Sequence, residues 1–139
     1  MKPILFAALL AVCPPASAAE TLAGPYAAEV LRIVDGDTVE VRVRIWLGVD
    51  VTTLVRIRDI DAPELHGHCP GEPEAARAAR SHLAALLADG RVRLGAVGHD
   101  KYGRRVDATL HLPSGVDVGQ EMIASGHARP TRRGRVKWC

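Results

Sequence analysis

Residues 38–46 alternate without a break: Val39, Val41, Val43 and Ile45 fall on one face, Glu40, Arg42 and Arg44 on the other. A period of two over that length specifies a β-strand with one buried face. Asp35-Gly36-Asp37 stands just before it. Asp-Gly accepts positive φ, so it marks a hairpin turn out of a first strand within 23–34, which carries Ala27, Val30, Ile33 and Val34. Leu47-Gly48-Val49-Asp50 turns the chain back into a third strand over 51–60. Strand three of such a meander ends beside the turn where strand two begins. Asp35 and Asp37 should therefore lie near Asp61 and Glu64. Four carboxylates at one sheet edge repel each other unless a cation sits among them.

The end of strand three is unusual for a wall. It reads Arg56-Ile57-Arg58-Asp59-Ile60-Asp61 and is stopped by Ala62-Pro63, with Glu64 following. A straight strand would hold Arg56 about 16 Å from Asp61. Only a sharply coiled strand and a long side chain would join them. Arg58 shares the face of Arg56 and is closer to the strand end.

The rest of the chain supplies the frame. Glu72, Pro73 and Glu74 suit the first turn of a helix that Gly90 stops, and Ala75, Ala79, Leu83, Leu86 and Leu87 give it an apolar stripe. A fourth strand over 91–97, a polar loop over 98–103 and a fifth strand over 104–112 follow. A second helix spans 116–125, with Val118, Met122 and Ile123 as its apolar side, and Gly126 ends it. Five strands with one helix after the third and one after the fifth is the order of an α+β, mainly β, oligonucleotide-binding (OB-fold) barrel with two packed helices. A sandwich needs more strands, and a parallel sheet needs helices between most of them.

The chain is 139 residues long, enough for one domain. Residues 1–18 read as a signal peptide: Lys2, an apolar run from Ile4 to Val12, and Ala16-Ser17-Ala18 as the cleavage site. That run is too short for a permanent membrane anchor. The mature domain is expected over 20–139, exported to the periplasm or secreted, and monomeric. It would keep Cys69 and Cys139, and an oxidising compartment favours a disulfide between them. Closing a loop of about 70 residues could stabilise the fold by about 4 kcal/mol. Two free thiols, or another partner cysteine, are the alternatives. The formal net charge is only +2, but Arg129, Arg132, Arg133, Arg135 and Lys137 make the C-terminal stretch basic, which suits phosphate contacts or a solvated tail. His66, His68 and Cys69 are spaced too tightly for a usual structural zinc site.

Three segments together are specific. Asp35-Gly36-Asp37-Thr38-Val39, then Arg56 with Asp61-Ala62-Pro63-Glu64, then Asp100-Lys101-Tyr102-Gly103-Arg104 resemble, in order and spacing, the signature segments of the staphylococcal nuclease (thermonuclease) family. The resemblance implies a calcium-dependent phosphodiesterase acting on DNA and RNA with little sequence preference and leaving 3′-phosphates. It implies that Asp37, Asp61 and the backbone carbonyl of Ala62 hold Ca2+, with Asp35 and Thr38 behind them. The family usually has Thr at the Ala62 position, and a carbonyl survives that change. Calcium takes six to eight oxygens, so waters and a substrate phosphate would complete the shell. Glu64 matches the proposed general base, for which an electrostatic or water-positioning role is the alternative. Arg56 and Arg104 match the two phosphate-gripping arginines, whose planar fork suits phosphate oxygens. Lys101 and Tyr102 match substrate-binding positions, although a packed loop anchor is the plainer role for Tyr102. The family's nucleotide-stacking tyrosines are missing: after Gly126 the chain reads His127-Ala128-Arg129-Pro130-Thr131-Arg132. A module of the same fold that binds nucleic acid or another partner without cleaving is the rival reading.

Overall fold

The computed structural model describes residues 18–131 and Trp138. Its elements are β1 (Thr21–Leu22), β2 (Tyr26–Asp35), β3 (Thr38–Trp46), β4 (Val49–Ile57), β5 (Ile60–Asp61), α1 (Glu72–Leu86), β6 (Arg91–His99), β7 (Arg105–His111), α2 (Val118–Ala124) and β8 (Arg129–Pro130). The meander β2–β3–β4 is antiparallel throughout. β7 pairs in parallel with β4 and antiparallel with β6, and β6 pairs with β2. Those pairings close five strands into the expected barrel and leave its edges satisfied. Among the described residues no helix is long and apolar enough to cross a membrane.

The alternation in β3 does what its period dictates. Val39, Val41 and Val43 enter the core with Val55, Ile57, Leu94 and Leu110. Ile45, expected on the same face, is 54% exposed. The register shifts between Arg44 and Trp46, so the alternation is broken before the hairpin tip. α1 caps the barrel with Ala76, Ala79 and Leu83 buried, and Leu87 just beyond its end is also buried. Ala76 replaces the expected Ala75 in that stripe. α2 is shorter than expected and buries Val118 and Met122.

The larger departure is at the end of the third strand, expected to run to Ile60. β4 stops at Ile57, and Asp59 takes a left-handed φ of 66°. The chain thereby turns out of the sheet, and β5 pairs with β8 instead. Non-glycine residues reach that φ at a cost, although Asp tolerates it better than most. Asp59→Gly should therefore keep the stability of the parent in urea unfolding, whereas Asp59→Val should lose about 1–2 kcal/mol.

Candidate active site

The Asp35–Thr38 turn is held in place from two sides. Gly36 has no room for a side chain, since a Cβ there would lie 2.7 Å from the Cβ of Ala79 and 2.8 Å from that of Ala62. Helix α1 and the Ala62 methyl thus clamp the turn. Thr38, 2% exposed, donates from Oγ1 to Asp37 Oδ1 at 2.9 Å. Ala62 N donates to Asp37 Oδ2 at 3.1 Å, which ties the turn to the segment after β5.

The kink at Asp59 closes the distance that a straight strand would leave. Arg56 Nη2 donates to the carbonyl of Ile60 at 3.1 Å and to Asp61 Oδ1 at 3.4 Å, and stands 3.8 Å from Asp37 Oδ2. One guanidinium therefore spans the two aspartates. All three side chains are mostly buried.

The electrostatics record the crowding. Burial pushes the Asp35 carboxyl up to about 6, and the neighbouring charge of Asp37 adds to it. Its Oδ1 is buried without a hydrogen-bond partner among the described residues. Burial, then the Asp37 charge, raises Asp61; Arg56 opposes this, and Glu64 adds a smaller upward push. Trp138 also favours the ionised form of Asp61, its indole nitrogen buried nearby but outside strict hydrogen-bond geometry. Carboxylates that raise one another in a desolvated cleft are a donor set short of positive charge. Calcium fits that chemistry. Among the described residues no three His, Cys, Asp or Glu side chains converge as a full ligand set. The protein could thus supply only part of the six to eight oxygens calcium takes.

Glu64 follows two buried residues, Ala62 and Pro63, and is itself exposed. Lys101, Tyr102 and Arg104 sit on the loop between β6 and β7. Tyr102 is 66% exposed, so it is not the packed anchor its loop position suggested. The Lys101 ammonium lies 4.8 Å from the centre of its ring. Arg104 is exposed, and the structure does not bring it into contact with the aspartates.

Three features escaped the sequence. Arg105, rather than Arg104, locks the loop: its Nε pairs with the buried Asp100 Oδ2 at 2.5 Å. Burial works to raise Asp100, but Arg105 outweighs it and holds the carboxyl below its usual range. Glu72, which reads as an ordinary helix-start charge, is buried. Arg129 stacks 4.4 Å over Trp138 from a strand paired at Asp61. The last two carry no local signal, because each depends on which distant segment packs against the site. Cys69 is disulfide-bonded, which removes the thiolate a zinc site with His66 and His68 would need. Cys139 and the positions 132–137, with most of the basic stretch, lie outside the described residues.

Comparison with known proteins finds a matching family and nuclease-named relatives. The model of the family described as staphylococcal nuclease homologue matches residues 54–137. Endonuclease YhcR of Bacillus subtilis (strain 168) is 32% identical over 114 residues, 76% of this chain and 9% of that protein. A micrococcal nuclease of Shigella flexneri is 36% identical over 107 residues, 72% of this chain and 55% of that protein. An uncharacterized endonuclease of Escherichia coli O157:H7 is 33% identical over 101 residues, 71% of this chain and 57% of that protein. The chain thus spans little more than half the length of the last two and under a tenth of the first. With the three signature segments, the closed barrel and these matches in agreement, the chain belongs to the staphylococcal nuclease homologue family.

Proposed function

We propose that this domain is an exported, calcium-dependent phosphodiesterase that hydrolyses DNA and RNA with low sequence specificity. The observation that carries the reading is the meeting of Asp37, Asp61 and Arg56 at one rim, with Glu64 close enough to influence Asp61. Nuclease-named relatives support the reaction class. Export rests on the apolar leader and on the disulfide-bonded Cys69, for which Cys139 is the proposed partner.

Asp37, Asp61 and the Ala62 carbonyl would hold calcium, with Asp35 and Thr38 behind them. When bound, the ion supplies Lewis-acid neutralisation of charge on the scissile phosphate. Arg56 and Arg104 bind phosphate oxygens and stabilise the charge that builds on them as water attacks. Glu64 accepts the proton of the attacking water from an exposed position on the loop after β5. Arg104 reaches the phosphate from an exposed loop, so its grip forms with substrate rather than being built into the free protein. Tyr102 and Lys101 lie on the same loop and offer an aromatic face and a cation to the nucleotide.

Plasmid digestion should proceed with calcium and stop with chelator. No calcium-dependent loss of plasmid would favour the silent binding module. Glu64→Gln should lower turnover by about 10²–10⁴ without shifting the thermal unfolding midpoint. Arg104→Ala should lower turnover at least about tenfold, also with the fold intact. Asp37→Asn should raise the calcium concentration for half-maximal cleavage at least about tenfold, because ligand charge sets affinity in such sites.

A further inference from the structure

The segment 64–72 closes around one buried carboxylate. Glu72 is 8% exposed. Its Oε1 accepts the backbone N–H of Glu64 at 3.1 Å, and its Oε2 accepts that of Cys69 at 3.4 Å. Two further bonds tighten the wrap: Gly67 N donates to the Glu64 carbonyl at 3.0 Å, and Glu72 N donates to the Cys69 carbonyl at 3.1 Å. Gly67 passes so close that a Cβ there would lie 2.0 Å from Glu72 Cδ. The loop has therefore been fitted to the carboxylate, and the absence of a side chain at Gly67 is what admits it.

A buried carboxylate is unfavourable unless charge-assisted hydrogen bonds compensate it. A solvated acid would serve the dipole of α1 as well, and Glu74, in the same first turn, does so from an exposed position. Helix capping alone therefore does not explain why Glu72 is buried. What it holds is the backbone of Glu64, an exposed residue in a loop, where positions drift most. A displacement near 1 Å can cost about 10² in rate.

We propose that Glu72 is a positioning residue for Glu64: by accepting the Glu64 N–H it fixes where that carboxylate starts from the backbone. This rests on the reading of Glu64 as general base. The test is a double-mutant cycle on cleavage of a fluorophore-labelled DNA oligonucleotide in calcium. Glu72→Ala should lower kcat by about 10–100-fold while KM stays within about threefold. Glu72→Gln, which keeps one acceptor, should recover part of the loss. In the Glu64→Gln background, Glu72→Ala should cost less than about twofold, because the group it positions is already gone. An unchanged kcat in Glu72→Ala, or the same loss in both backgrounds, overturns the proposal and leaves the general base standing. Wild-type kcat in Glu64→Gln instead removes the base and the proposal with it. Should Glu72→Ala fail to fold, the cycle is run with Gly67→Ala, whose methyl would strike the same carboxylate. It should show the same Glu64-dependent fall in kcat, and a fall independent of Glu64 overturns the proposal.

Discussion

The contact of the Arg56 guanidinium with Asp37 and Asp61 is the interaction on which the site depends. It joins the hairpin turn before β3 to β5, which lies farther along the chain, and it does so in a mostly buried cleft. Removing Arg56 would leave two neighbouring aspartates charged and uncompensated, which is strongly destabilising. In the free protein Arg56 is the cation that makes two neighbouring aspartates tolerable. Burial first, and then the remaining excess of negative charge, raises Asp35 and Asp61.

Everything around that cluster serves to bring it together. Parallel pairing of β7 with β4 closes the barrel and fixes the strand that carries Arg56. The left-handed Asp59 then turns the chain so that Arg56 meets the residues that follow it. Gly36 lets α1 press the turn of Asp37 against Ala62. Glu72 gathers the next segment around its carboxylate. Rigid elements thus hold the aspartates, while the groups proposed to meet the phosphate, Glu64 and Arg104, stay exposed.

Much of this was legible in the residues. The alternation of β3 and the Asp-Gly turn give the meander, and the meander alone brings Asp37 toward Asp61. The helix stripe was legible to within one position, Ala76 for Ala75, because apolar spacing on a small-residue helix leaves the rotation loose. The kink at Asp59 was not legible: local pattern favours continuing a strand through Ile60, and only the pairing of β5 with β8 and the closed barrel favour the turn. Glu72 was misread for a related reason. At a helix start, an acid that points to water and one that is wrapped by a distant loop look the same in sequence. Tyr102 was misread in the opposite sense, as packed when it is exposed.

The central claim is that Asp37 and Asp61 form a cation site at the barrel rim. Calcium titration by calorimetry tests it most directly, using the parent and an Asp37→Asn/Asp61→Asn variant, each with a non-cleavable phosphorothioate oligonucleotide. The account requires saturable binding of calcium to the parent and a loss of at least about tenfold in affinity in the variant. Equal calcium affinity in the two proteins would contradict it.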